Sequence, residues 1–269
     1  MISRKSLAIV LFFFCHTNLN AQNDTLQPSS AIIVEDARMG LSDVGRVLTS
    51  PLHFSAQAWS MTALVVGSTA FLFTLDKPVR MYALEHQNQT ASDVFTLGRE
   101  YGSGVNALIF AGGLYTGGLV FKNKDVRTTG LMVFESVGIS GSITWALKVA
   151  FGRSRPYLEE GVTTFHGFQF KEETTSLPSG HSTVAFAISS VLAGRLHNIY
   201  ASIGLYSLAA LTAGSRIYND DHWLSDTFLG AAIGTSVGIA VVRLHQDEGD
   251  HSSIHLTPLL HGVNIAFIF

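Results

Sequence analysis

Cysteine is almost absent from this chain: the only one, Cys15, lies in an apolar run near the N-terminus. If that run is removed, no cysteine remains, which excludes disulfides, thiol nucleophiles and cysteine-ligated metals from the mature protein. Charge is scarce as well. Lys, Arg, Asp and Glu make up 14% of the residues, against about 25% in an ordinary soluble domain. A net charge of −3 offers no basic surface for nucleic acid, so no nucleic-acid partner is expected. No repeat, low-complexity tract or second-domain boundary is evident. Clean membrane-length runs are few too, because several apolar stretches fall short of the roughly 20 residues that a span needs. What the chain has in excess is apolar residues, 47%, with a mean hydropathy of +0.30. That balance points to a membrane.

The N-terminus has the plan of a targeting segment. Arg4 and Lys5 precede the apolar run 7–15, and Ala21 stands before Gln22 as a cleavage point. Residues 1–21 therefore read as a signal peptide or an uncleaved anchor. Residues 22–53 form an amphipathic N-terminal segment, with a helix expected over 36–52. Six apolar stretches follow, at 54–75, 102–121, 129–147, 182–196, 199–213 and 227–244. Their content of Gly, Ala, Ser and Thr suits close helix packing. The expected fold is all-α: a six-helix transmembrane bundle over 54–245, with a soluble bundle as the alternative. Glu135, inside the third stretch, needs a polar partner on a neighbouring helix. The tail, 246–269, ends in a period-two alternation over 262–269 that reads as a strand. Its His251, His255 and His261 read as solvated.

Chemistry concentrates in three places. Around His222 the chain reads S-R-I-Y-N-D-D-H-W-L-S-D, from Ser215 to Asp226. On a helix, His222 and Asp226 would share one face, and a carboxylate there fixes one imidazole nitrogen while leaving the other bare. Arg216 adds a planar cation suited to phosphate oxygens. Upstream, Lys148 and Arg155-Pro156 leave the third apolar stretch, as interfacial anchors or as phosphate ligands. Arg153 between them reads as an anchor or as a partner of a nearby glutamate. Pro178-Ser179-Gly180-His181 then opens a helix. There Ser179 can cap it or offer its hydroxyl and amide to an anion, Gly180 allows close approach, and His181 can supply a proton. Asp220 and Asp221 read as solvent-facing or capping residues.

Together these stretches resemble the three-part signature of the type 2 phosphatidic acid phosphatase and vanadium haloperoxidase superfamily. That signature is K-x6-R-P, then P-S-G-H, then S-R-x5-H-x3-D, and all of it is present in order. The resemblance covers roughly residues 54–244. It implies that His222 attacks phosphorus to form a phosphohistidine, that Asp226 orients His222, and that His181 protonates the leaving oxygen. It implies also that Lys148, Arg155, Ser179, Gly180 and Arg216 bind the phosphoryl oxygens, with no cofactor and no metal. Phosphoryl transfer needs positioning and charge neutralisation, which fixed cations and amides supply.

The loop 159–177 would hang over such a site, its Phe165, Phe168 and Phe170 meeting a lipid tail or packing the loop. Basic residues Lys122, Lys124, Arg127, Arg195 and Arg243 lie away from it. The positive-inside rule places them in the cytoplasm and the site on the periplasmic face of a bacterial inner membrane. A cleaved signal followed by six full spans would put the site on the other side, so one of these readings has to yield. The expected activity is metal-independent hydrolysis of a lipid phosphate or diphosphate. A soluble periplasmic acid phosphatase, a vanadate-dependent peroxidase and a silent membrane scaffold are the alternatives.

Overall fold

Every α-helix start from residue 56 to residue 199 follows the same local rule. Ser55, Asn88, Ser103, Asn123, Ser179 and Asn198 each stand just before a helix and accept a hydrogen bond from a backbone amide in its first turn. Short side-chain oxygens satisfy donors that a helix start otherwise leaves open. The computed structural model describes residues 29–247, 253–259 and 262–268; the expected signal segment, 1–21, lies outside them. Among the described residues there are eight α-helices: α1 Ser29–Thr49, α2 Ala56–Glu85, α3 Gln89–Tyr101, α4 Gly104–Val120, α5 Lys124–Phe151, α6 Gly180–Leu196, α7 Ile199–Tyr218 and α8 Leu224–Asp247.

The all-α class holds, and the helix number is corrected from six to eight. Of the two beyond the six apolar stretches, α1 is the expected amphipathic helix, which begins before 36–52 and gives way at Ser50 to a short 3-10 turn. The other, α3, is too polar for a hydropathy scan to register. It is pinned by packing instead: Gly98 lies against the α7 backbone, where an added Cβ would come within 2.7 Å of Leu211, and Thr212 Oγ1 donates to Gly98 O at 2.6 Å. Helix α2 also runs ten residues beyond the expected 54–75. The extension carries Asp76 and Arg80, whose charges face partners inside the protein rather than ending the helix.

Helix α6 is the central element, with Ala185, Ala187 and Val191 fully buried. Helix α8 lies directly on it through a glycine stripe. A Cβ on Gly230, Gly234 or Gly238 would come within 2.4 Å of Ser179 O, 2.2 Å of Thr183 O and 2.7 Å of Ser190 Cβ. These close approaches let the two backbones meet and hold the start of α6 against the start of α8. Met132, Val133, Ile188 and Val241 complete the core.

Three described helices, α2, α5 and α8, are long and apolar enough to cross a membrane, or four spans if the bent pair α3–α4 counts as one. Six helices of that length and apolarity are not found among the described residues. Only 6% of the most apolar window of α2 is buried inside the protein, and Leu64, Val66 and Phe71 are exposed on it. A surface that apolar belongs in lipid, and the bundle is a membrane-embedded one. In the tail, the expected strand has a partner: β1 Ser253–Leu259 pairs antiparallel with β2 Gly262–Ile268, from Ser253 opposite Ile268 to Leu259 opposite Gly262.

Candidate active site

Four helix ends converge at one end of the bundle: the C-termini of α5 and α7 and the N-termini of α6 and α8. The loop 152–179 closes over them. It leaves α5 at Gly152, whose φ of +60° and tight fit, a Cβ lying 1.9 Å from Gly167 O, require glycine. Ser154 N to Thr164 O, Arg155 N to Glu173 O and Ser176 N to Arg153 O stitch the loop to itself.

His222 does not share a helix face with Asp226 as the spacing suggested. It sits in the turn before α8, while Asp226 lies in the first turn and accepts the Trp223 amide at 2.9 Å. The carboxylate therefore caps its own helix and also reaches the imidazole. Its Oδ2 is 3.5 Å from His222 Nδ1, and the Ser176 hydroxyl lies between, donating to Asp226 Oδ2 and 3.3 Å from Nδ1. Both contacts fall on Nδ1 and neither on Nε2. His222 is 3% exposed.

Cations surround this ring. Lys148 Nζ donates to the carbonyls of Thr175 and of Ser176, the latter at 3.1 Å. Arg155 bonds Glu172, and Arg216 pairs with Asp221 at 2.8 Å, which lies 3.8 Å from Arg155 as well. Arg216 Nε is buried with no hydrogen-bond partner, a donor available to an anion. Ser179 is placed differently from expectation: its amide is taken by Asp226 O at 2.9 Å, so only its hydroxyl, which caps α6, remains to donate. Gly180 begins α6 beside Lys148, 3.9 Å from an added Cβ to Cε. Asp221 is an ion-pair partner of the site, and Asp220 makes a two-pronged bond to Arg80 at 2.6 and 2.7 Å; neither is simply a solvent-facing residue.

Arg153 corrects the sequence reading most. It is neither an interfacial anchor nor a glutamate partner but fully buried, bonded to Asp226 Oδ1 at 2.6 Å, Asp76 Oδ2 at 2.8 Å and Ser225 Oγ at 2.7 Å. Its guanidinium lies 4.2 Å from the Phe73 ring centroid. Asp76 also accepts the Ser225 amide and hydroxyl. Sequence reasoning missed Asp76, Arg153 and Ser176 in this network. The one local signal was an acid inside an apolar stretch.

Burial pushes the His181 imidazole down to about 4, with repulsion from Arg216, Arg155, Arg99 and Lys148 adding to it. His222 is also held well below its usual value, by burial first and then by Lys148, against the pull of Asp226. Both rings are thus neutral at pH 7 before an anion arrives: the His222 lone pair is available, and His181 has yet to gain a proton that it could donate. A bound anion would offset the repulsion and raise the proton affinity of His181. We expect the basic limb of kcat to lie at higher pH than that of kcat/KM. For the dianionic substrate, with its own ionisation divided out, kcat/KM should rise as pH falls from 7 toward 5. A kcat/KM that falls over that interval would count against His181 as the proton donor.

The model of the PAP2 superfamily matches residues 129–250. The chain is 32% identical over 125 residues to a Porphyromonas gingivalis protein named lipid A 1-phosphatase, covering 45% of this chain and 25% of that one. It is 33% identical over 149 residues to lipid phosphate phosphatase 1 of Arabidopsis thaliana, covering 44% of this chain and 45% of that one. The chain spans about a quarter to a half of the length of the curated relatives it matches. Among solved structures, Aquifex aeolicus LpxE superposes with a TM-score of 0.50 at 24% identity, over 63% of this chain and 95% of that one. A Bacillus subtilis transmembrane PAP2-type phosphatidylglycerolphosphate phosphatase gives 0.54 at 19%, over 79% and 96%. At these identities the two structures speak for the fold.

Proposed function

We propose that this chain, whose residues 129–250 match the PAP2 superfamily model, hydrolyses a lipid phosphate or diphosphate through a phosphohistidine at His222. The observation that carries this is a buried imidazole held only through Nδ1, set among Lys148, Arg155 and Arg216. In the first step the Nε2 lone pair forms a bond to phosphorus, the phosphorus–oxygen ester bond breaks, and the leaving oxygen takes a proton from His181. In the second, water gives a proton to His181 as its oxygen attacks phosphorus. The nitrogen–phosphorus bond breaks, its electron pair returns to His222, and inorganic phosphate departs. The three cations, the Ser179 hydroxyl and the Gly180 amide hold the equatorial oxygens throughout, and no step needs a metal.

A lipid substrate is supported by what surrounds the cradle. Phe168 and Phe170, on the loop above it, are 81% and 76% exposed, apolar side chains beside a phosphate site at the edge of an apolar bundle. Lipid A, phosphatidic acid, phosphatidylglycerophosphate and undecaprenyl diphosphate all present the needed chemistry. A periplasmic site is supported by Lys122 and Lys124 at the opposite end of α5. The charge argument is weaker for Arg127 and Arg195, which are paired with Asp36 and Asp125.

The test is phosphate release from those four lipids and from soluble p-nitrophenyl phosphate, in chelator. Release from one lipid far above the soluble ester is the expected result. In a Phe168→Ser/Phe170→Ser double variant, KM for that lipid should rise about tenfold, roughly 1.4 kcal/mol of lost apolar contact, with the soluble ester unaffected. Equal turnover of all five compounds would favour the broad acid phosphatase reading.

A further inference from the structure

Helix α1 buries two of its acids beside Ile32 and Val47: Asp36 is at 6% and Asp43 at 0% exposure, while Leu41 and Leu48 are 75% and 53% exposed. Asp36 is answered by Arg127 at 3.2 Å and by the Tyr115 hydroxyl at 2.8 Å. Asp43 meets a different set of groups. Its Oδ2 lies 3.3 Å from His245 Nε2 of α8, and the same nitrogen is 2.8 Å from Glu135 Oε2 of α5. Side-chain exposures are 0%, 3% and 5% for Asp43, His245 and Glu135. One ligand atom from each of the three lies within 4.8 Å of the others.

A second observation comes from Glu135 itself. Its other oxygen, Oε1, is buried without a hydrogen-bond partner. It turns toward α1 at Gly40, where an added Cβ would stand 3.0 Å away. A buried carboxylate oxygen without a donor is costly. A single nitrogen facing two carboxylates has only one proton to offer, whereas its lone pair and both acids can all serve one cation.

We propose that Asp43, Glu135 and His245 bind a divalent transition-metal ion, of the zinc or manganese kind, which fastens α1 to α5 and α8. Two carboxylates cancel the charge of the ion, and a neutral imidazole supplies the borderline donor that favours such metals over magnesium or calcium. The 2.8 and 3.3 Å separations sit close to the edges, about 2.9–3.4 Å, spanned by ligand atoms bound at about 2.0–2.1 Å. Glu135 Oε1 gives a further donor. The site is separate from the phosphate cradle, since Glu135 stands about 20 Å before Lys148 along α5 at 1.5 Å per residue. Its role is structural: it adds to the compensation of Asp43, which Arg46 also faces at 3.7 Å, and of Glu135, and so ties α1 to the bundle.

The test uses the full chain in detergent, stripped with chelator, dialysed and titrated calorimetrically with Zn²⁺ or with Mn²⁺ alone. One equivalent per chain is expected. Glu135→Gln, which preserves shape, should weaken binding at least tenfold, and His245→Ala should abolish it. Limited proteolysis between α1 and α2 should speed up in chelator and slow again on adding metal. Absence of a stoichiometric site in the unaltered protein overturns the proposal. So does binding that persists unchanged in both variants, which would assign the ion elsewhere, for instance to His251, His255 and His261. Neither readout involves phosphate release, so the outcome is independent of the activity proposed above.

Discussion

His222→Ala is expected to abolish phosphate release, lowering kcat by at least about 10⁴-fold, with KM for the lipid nearly unchanged. The reason is the division of labour in the site. On the proposed reading binding rests on Lys148, Arg155 and Arg216, none of whose side chains bonds the His222 imidazole among the bonds described, although the Arg216 carbonyl accepts the His222 amide at 3.2 Å. On the same reading bond formation to phosphorus would rest on one nitrogen alone. The neutral state of that ring at pH 7 comes from burial and from the neighbouring Lys148, so its lone pair is available without a separate base. Rapid quenching of the unaltered enzyme with labelled substrate should trap an acid-labile, base-stable phosphoprotein that His222→Ala never forms. Asp226→Asn should fall between the two, at about 10²–10⁴-fold, because Ser176 still contacts Nδ1. If His222→Ala keeps most of the activity, the covalent route is wrong and direct attack by water takes its place.

The parts of the molecule that were legible in the sequence are those whose chemistry is carried by residue type and short spacing. Lys148, Arg155, Arg216, His181 and His222 could be picked out because phosphate demands cations and imidazoles, and four helix ends bring them together. The apolar stretches could be read because burial in lipid or core leaves one signature in composition. Long-range pairing left no such signature. Asp76 looks like an interruption at the end of an apolar stretch, and only the fold sets it against Arg153, which seventy-odd positions of chain separate from it. Ser176 is a small hydroxyl in a loop, unremarkable until Lys148 draws its carbonyl and Asp226 its side chain. Helix α3 hides because it is short and polar on average, and its seat on α7, Gly98 against Leu211, Thr212 on Gly98 and Phe95 against Tyr218, appears only in the fold. The same holds for Asp43 and His245, which meet Glu135 only when α1 docks on α5 and α8.

Arg153→Ala is the second large effect, and it should act on kcat rather than on binding. Arg153 makes no contact with Lys148, Arg155 or Arg216 among its described bonds; it holds Asp226 Oδ1 at 2.6 Å while Oδ2 serves Ser176 and Trp223. Removing the guanidinium frees one side of the carboxylate that orients His222. It also leaves Asp76 and Asp226 buried near one another without their shared cation, a defect of about 3–5 kcal/mol. The expected result is a kcat lower by about 10²–10³-fold with KM within about twofold, together with a lower melting temperature. Arg155→Ala should do the reverse, raising KM, because its guanidinium lines the phosphate cradle. Arg153→Lys should rescue little, since one ammonium cannot bridge two carboxylates and the Val162 carbonyl as the planar fork does at 2.6–3.0 Å. Asp76→Asn retains the shape of the network and relieves part of the surplus negative charge, so the double variant Arg153→Ala/Asp76→Asn should recover stability without recovering kcat. That separation is the decisive reading: stability and turnover lost and regained together would make Arg153 a packing residue, whereas turnover that stays low in the restabilised double variant assigns it the positioning of Asp226.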